Sequence, residues 1–241
     1  MFSIFSDKQI DHSLEWLSVD LHSHLLNGID NESLNIDIAA EYIKQLSDLG
    51  ITKIYCTTPV TPGSGSAFTN KLLTAKEHLQ DILYQADIEV TLIGGAKYLV
   101  DAEFKATNDM ITLPGNSVLL KMSYLEEAMN LEDAIFDLQD RGYQVILANP
   151  ERYEYYHDNL LYYERLKELG VLFQLNLLSV MGHYGSAIKK TADYMLKLQF
   201  YELAGTEGHD KRHLDMLLRN MIDGDMFSAT RIYEFINKDW L

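Results

Sequence analysis

Three times in this sequence a stretch of helical periodicity ends on a glycine just before an apolar, strand-forming run: Asp48-Leu49-Gly50, Asp140-Arg141-Gly142 and Glu168-Leu169-Gly170. Glycine there supplies the left-handed backbone that terminates a helix, so the chain passes straight from helix to strand. That grammar belongs to repeated βα units and favours a barrel over a sandwich. Short apolar runs predict strands at Trp16 to Leu21, Lys53 to Thr57, Glu89 to Ile93, Val118 to Met122, Gln144 to Ala148, Val171 to Leu175 and Phe200 to Leu203. Between them the periodicity predicts helices over Ile36 to Leu49, Asn70 to Ala86, Leu131 to Arg141, Tyr162 to Leu169, Ala187 to Leu198 and Lys211 to Met221. The expected fold is α/β, about seven βα units.

A chain of 241 residues with 47% hydrophobic content can bury one large core, and α/β barrels of this length form one domain. Residues 1–241 are therefore expected to be a single domain, with Thr61 to Thr69, rich in Gly, Ser, Thr and Pro, as a flexible loop. A formal charge of −16 argues against nucleic acid or an anionic membrane as partner, because both need clustered Lys and Arg. The lone Cys56 excludes an intramolecular disulfide and any CxxC motif, suits a reducing compartment, and reads as a buried strand residue. No basic region precedes a long apolar run at the N-terminus, and no apolar stretch is long enough to span a bilayer, so a cytoplasmic protein without membrane insertion is expected.

In Asp20-Leu21-His22-Ser23-His24 two histidines stand two apart at a strand end, so their side chains project from one face. Two imidazoles on one rim suit a divalent metal. Alone, such a pair is more often made of ordinary hydrogen-bonded histidines. At the C-terminal mouth of a parallel barrel, strand ends converge, and residues distant in sequence can complete a site. Asp30, Asn149, Glu151, Arg152, Glu207, His209 and Arg212 are candidates.

The run His22-Ser23-His24-Leu25-Leu26-Asn27-Gly28-Ile29-Asp30 resembles the opening of PHP-type (polymerase and histidinol phosphatase) proteins, in particular the protein-tyrosine phosphatases of capsule and exopolysaccharide loci. The similarity runs from Asp20 to about Leu217 and includes Thr57-Thr58-Pro59, Ala148-Asn149-Pro150-Glu151-Arg152-Tyr153, Gln174-Leu175-Asn176-Leu177-Leu178-Ser179 and Gly205-Thr206-Glu207-Gly208-His209. The resemblance implies a distorted TIM-like (β/α)7 barrel holding divalent ions such as manganese. It also implies hydrolysis of phosphotyrosine on a tyrosine-phosphorylated kinase of polysaccharide export.

The chain departs from that family's pattern at several ligand positions. Where the family has Thr-Pro-His, this chain has Thr58-Pro59-Val60; Lys97 and Lys121 stand where two glutamates are expected; the Ala-His-Pro-Glu-Arg signature reads Ala148-Asn149-Pro150-Glu151-Arg152. The family's Asp-Asp-Gly reads Asp30-Asn31-Glu32, and its Asp-x-His is Glu207-Gly208-His209. A cluster of dications needs carboxylates both as ligands and as counter-charge, so ammonium groups oppose it twice.

Three readings stay open. A residual site of His22, His24 and Glu207, with or without His209, could hold one metal ion, and hydrolysis assisted by Arg152 and Arg212 would be weakened. Alternatively Lys97 and Lys121 replace the metals, and with Arg152 and Arg212 make a phosphate- or phosphotyrosine-binding pocket without catalysis. A third use is hydrolysis of a small phosphate monoester. The tyrosines Tyr153, Tyr155, Tyr156, Tyr162 and Tyr163 could stack on a substrate ring, though such residues more often pack between helix and barrel. The Gly-flanked Met181-Gly182-His183-Tyr184-Gly185 could approach the pocket, with His183 read as structural.

Overall fold

The computed structural model describes residues 13–26, 28–29, 35–60, 63–209, 211–223, 230 and 233–240. Seven strands, β1 (Val19–Ser23), β2 (Lys53–Val60), β3 (Thr91–Leu99), β4 (Ser117–Lys121), β5 (Gln144–Ala148), β6 (Leu172–Asn176) and β7 (Leu203–Gly205), lie side by side in chain order. Every neighbouring pair is parallel. The helices are α1 (Ile36–Asp48), α2 (Gly65–Gln85), α3 (Leu131–Asp140), α4 (Leu161–Glu168), α5 (Leu177–Val180), α6 (Ser186–Lys197) and α7 (Lys211–Asp223). β3 and β4 are joined without an α-helix, through residues 100–113 and a 3-10 turn at Pro114–Asn116. This is an α/β barrel, as the alternation of strand and helix signals predicts, in the distorted TIM-like form that the family resemblance implies.

Gly50, Gly142 and Gly170 all take positive φ (102°, 82° and 78°), as the helix-ending grammar requires. The apolar helix faces and the outer faces of the strands form the larger core, including Leu14, Tyr42, Leu79, Leu138, Leu166 and Phe173. A second cluster, with Val19, Leu21, Tyr55, Leu119, Ile146 and Leu203, fills the barrel interior, and Ile236 and Trp240 pack against it. Interior positions turn polar toward the C-terminal ends of the strands. On β6 Leu172 gives way to Gln174 and Asn176; on β4 Leu119 gives way to Lys121. The core thus forms a floor with a polar chamber above it, at the end where barrels of this type carry chemistry.

Closure between β1 and β7 is partial and uses unusual parts. Toward the polar end, Glu207 N donates to the His22 carbonyl (2.7 Å) and His24 N to the Gly208 carbonyl (2.9 Å). Lower down, the buried Asn237 side chain donates to the carbonyls of Val19 and Ala204 (both 2.8 Å) and accepts from Ala204 N (2.9 Å), standing in for ladder bonds that the strands do not make. Asp20 draws the seam together by accepting from Thr206 N (2.9 Å) and the Thr206 hydroxyl (2.6 Å). At Gly208 a Cβ would collide with the Tyr42 hydroxyl, so the close approach of this loop to α1 requires glycine.

Several boundaries differ from those expected, four of them for physical reasons visible in the packing. β1 begins at Val19, not Trp16, because Ser18 turns the chain with φ 57°. β3 runs on to Leu99 through Gly94 and Gly95, whose missing side chains leave room for Leu72 and Leu113, so Lys97 lies inside the strand rather than after it. The Thr61 to Thr69 segment is not a loop throughout, since α2 begins at Gly65 and Phe68 packs against the core. β7 starts three residues later than expected, at Leu203. Asp30, Asn31, Glu32 and Asp210 lie outside the described residues.

Candidate functional site

The chamber is built around Lys97. β1 carries a bulge between Asp20 and Ser23, and this extra residue re-aims the strand end so that His22 and His24 both reach the interior. The Lys97 ammonium, buried at 2% exposure, donates to His22 Nε2 (2.8 Å) and His24 Nε2 (2.9 Å). The His22 tautomer is set from behind: its Nδ1–H faces Gln174 Oε1 at 2.9 Å, which leaves Nε2 as an acceptor for the lysine. Burial first, and then the neighbouring Lys97 charge, hold the His22 pKa well below its ordinary value, so the ring is neutral.

Glu207 is the anion of the group. Its Oε1 lies 3.6 Å from Lys97 Nζ, while Oε2 accepts from Arg152 Nη1 (2.6 Å) and Asn176 Nδ2 (2.5 Å). Burial would raise its pKa, but the Lys97 and Arg152 charges outweigh that and hold the carboxyl far below the usual range. Glu207 has φ 48°, a conformation non-glycine residues adopt at a cost of about 1–2 kcal/mol, fixed here by its backbone bond to His22. Arg152 follows β5 on a 3-10 turn (Pro150–Arg152) and is clamped between two rings, 4.0 Å from the Tyr124 centroid and 3.8 Å from that of Tyr184. Burial alone would lower the Arg152 pKa; Glu207 and the flanking tyrosines raise it instead.

Two cations therefore share one carboxylate, and a third cation, Lys121, stands close by. A cavity of about 420 Å³ opens beside Lys97, lined by Pro59, Val60, Ser64, Phe68, Lys97, Leu99 and Lys121. Its lining mixes apolar side chains (Pro59, Val60, Phe68 and Leu99) with Ser64 and two lysines, Lys97 and Lys121, its charged residues, which suits an anion attached to an apolar body.

The geometry also decides how a metal would fare. Ligand atoms of His22, His24 and Glu207 all lie within 4.8 Å of one another, the one such group among the described residues. A divalent ion bonded to imidazole needs nitrogen–metal distances of about 2.0–2.1 Å. Lys97 Nζ already occupies the space on which the three donors converge, 2.8, 2.9 and 3.6 Å from them. An ion and this ammonium cannot share it, so with Lys97 in place the residues do not fit a metal. They fit the lysine.

The other expected site residues fall in several places. The His209 ring stacks edge-on against His24 (5.9 Å) and His213 (3.9 Å), with Nδ1 2.8 Å from the Glu207 carbonyl oxygen, and it stands apart from the three-donor group. Arg212 is exposed on the first turn of α7 and makes no ion pair with the cluster among the described residues. Asn149 donates to the Tyr124 hydroxyl (3.1 Å). Glu151 is turned away from the chamber, accepting from Asn176 N and the Tyr201 hydroxyl (both 3.0 Å), and burial lifts its pKa to about 7. The tyrosines pack as a ladder, Tyr124–Tyr153–Tyr155–Tyr156–Tyr162, with Tyr153 and Tyr156 buried. His183 Nδ1 lies 2.7 Å from Met216 Sδ, a packing role, whereas its neighbour Tyr184 caps Arg152. Cys56 is buried in β2, and burial pushes its thiol up to about 12. Tyr124 is a site residue that the sequence did not single out, its signal being a position just past a strand end; Tyr184 lies in the Gly-flanked run expected near the pocket, and Gln174 and Asn176 lie in one of the motifs that carry the resemblance, without an individual role.

Comparison with known proteins places this chamber in context. Residues 18–222 match the profile of the family described as capsular polysaccharide synthesis, CpsB/CapC. The chain belongs to the CpsB/CapC family. It is 23% identical to CapC of Staphylococcus aureus over 221 residues, covering 88% of this chain and 84% of that one. It is 22% identical over 198 residues to the tyrosine-protein phosphatase YwqE of Bacillus subtilis, covering 80% and 77%. A solved structure from work on YwqE and on CpsB of Streptococcus pneumoniae, described as metal-dependent tyrosine phosphatases, superposes with a TM-score of 0.72 at 19% identity, over 92% of this chain and 95% of that one. This CpsB/CapC chain therefore shares the barrel of those proteins while its own centre is filled by Lys97. No helix among its described residues is long and apolar enough to cross a membrane.

Proposed function

We propose that this CpsB/CapC chain is a phosphotyrosine-binding member of its family in which metal-dependent hydrolysis is weakened or lost. The observation that carries the reading is the position of the Lys97 ammonium among His22, His24 and Glu207. A lysine there supplies one positive charge without open coordination positions, so it can attract a phosphoryl group but cannot lower the pKa of a bound water as a dication does. Support comes from the excess of cations over carboxylate and from the cavity in which Lys97 and Lys121 meet Phe68 and Val60. The phosphoryl oxygens would lie toward the two ammonium groups and the phenyl ring toward the apolar wall. Arg152, held by Glu207 and two rings, positions Glu207 and keeps the chamber positive.

The ligand that fits the family is a phosphorylated tyrosine on a kinase of polysaccharide export, and the place of action is the cytoplasm. Titration of a phosphotyrosine peptide into the protein, with chelator and with manganese, tests the reading. Binding that the chelator leaves unchanged, lost in Lys121→Glu, with no phosphate release, is the expected result. Manganese-stimulated release of phosphate at a rate typical of enzymes would overturn it and restore metal-dependent hydrolysis as the function.

A further inference from the structure

The connection after β4 leaves the chamber and then exposes apolar side chains. Tyr124 stacks on Arg152 inside the site, yet Leu125 is 94% exposed, Met129 90% and, on the outer face of α3, Phe136 72%. Scattered surface leucines need no explanation, but three side chains of this size within twelve residues, next to a site mouth, do. The loop is also pinned. Tyr156 Oη donates to Glu127 (2.7 Å), Asn130 Nδ2 to the Asp101 carbonyl (2.8 Å), and Leu125 N to Ser123 Oγ (3.1 Å). A surface held in shape before contact loses little entropy on binding.

Its charge restricts the partner. Residues 125–140 contain six Asp or Glu and no Lys, Arg or His. Glu132 and Asp137 pair with Arg165 and Arg141, whereas Glu126, Asp133 and Asp140 are exposed with no ion pair among the described residues. A second copy of this chain, at formal charge −16, would bring like charge to this surface. A basic segment would bring opposite charge, with apolar side chains to cover Leu125 and Met129.

Resting on the phosphotyrosine-binding reading, we infer that the 124–136 surface docks the flank of the phosphorylated segment, and that this flank is basic with leucine-like anchors. The chamber then recognises the phosphoryl group, and the loop beside it selects which tyrosine is presented. Lys97 and Lys121 attract the anion, and the acidic loop attracts cations next to it. A peptide carrying both signs in that order satisfies the two surfaces together.

The test compares two phosphotyrosine peptides, one flanked by Lys, Arg and Leu, the other by Glu and Ser, by calorimetry at low and moderate salt. The basic, apolar flank should tighten binding at least about tenfold, since covering even one such side chain is worth that much. Leu125→Ser with Met129→Ser should cut the preference to the part that moderate salt removes, while leaving the acidic-flanked peptide's affinity unchanged. Equal affinities for the two peptides would overturn the inference. In parallel, the methyl NMR signal of Met129 reports the surface directly. It should move when the unphosphorylated basic peptide is added at high concentration, and a signal that stays still would overturn the docking surface. If neither phosphopeptide binds but the Met129 signal moves, the surface stands and the phosphotyrosine-binding reading falls.

Discussion

Replacing Lys97 by alanine should change both what the barrel centre contains and how stable the fold is. The substitution removes the donor shared by His22 Nε2 and His24 Nε2 and one of the two cations facing Glu207. Breaking a buried ion pair costs about 3–5 kcal/mol, and because Arg152 still holds Glu207 at 2.6 Å the loss should fall at the lower end, about 3 kcal/mol. The space vacated is ringed by three donors whose ligand atoms lie within 4.8 Å of one another, a set suited to tetrahedral zinc. Zinc at a hundredfold excess over its Kd would return about 2.7 kcal/mol, most of the deficit. Urea unfolding with and without zinc gives both numbers in one experiment. The wild type should be indifferent to zinc, the variant should be rescued, and Lys97→Ala combined with His22→Ala should lose the rescue. A variant as stable as the wild type and equally blind to zinc would refute the placement of Lys97 at the centre.

Three further outcomes follow from the same contacts. Glu207→Gln leaves Lys97 and Arg152 in the chamber without their carboxylate and should cost about 3–5 kcal/mol in urea unfolding, far more than a surface change; a loss under 1 kcal/mol would contradict the network. Glu151 has its folded pKa raised from 4.5 to about 7, so the folded state holds a proton there that the unfolded state releases, and stability attributable to this group falls as pH rises through that window. Glu151→Gln should flatten that decline in unfolding curves between pH 4.5 and 7, and an unchanged slope would mean the carboxyl is not buried as described. Asn237→Leu deprives three buried backbone groups at the β1–β7 seam of partners, at roughly 1–3 kcal/mol each, and should lower the unfolding midpoint more than any exposed substitution; near-neutral behaviour would show that the seam does not depend on this side chain.

Much of the barrel could be read from the chain, because helix periodicity and glycine caps are local signals. Gln144 to Ala148 and the start of β2 at Lys53 match the expected strands. Boundaries failed where packing overrides local preference: Gly94 and Gly95 look like interruptions but lie inside β3, shielded by Leu72 and Leu113, and that continuation turns Lys97 into the chamber. The ends of the site were visible in the spacing of His22 and His24 and in the Pro150-Glu151-Arg152 and Glu207-Gly208-His209 runs. Its middle was not. That Lys97 reaches both imidazoles depends on the bulge in β1 and on register across three strands, neither of which leaves a mark on residue spacing. Arg152 was expected to face a phosphate, but the rings of Tyr124 and Tyr184 come from two other connections, and only their convergence commits it to Glu207. Asn237, more than two hundred residues from Val19, closes a gap that no periodicity could announce.

The central claim is that an internal ammonium holds the place of a metal. Elemental analysis of the protein after incubation with manganese and zinc, followed by desalting without chelator, tests it most directly. The account predicts well under one metal ion per chain for the wild type and about one for Lys97→Ala in zinc. One or more ions bound stoichiometrically to the wild type would contradict it, because Lys97 could not then lie between His22, His24 and Glu207.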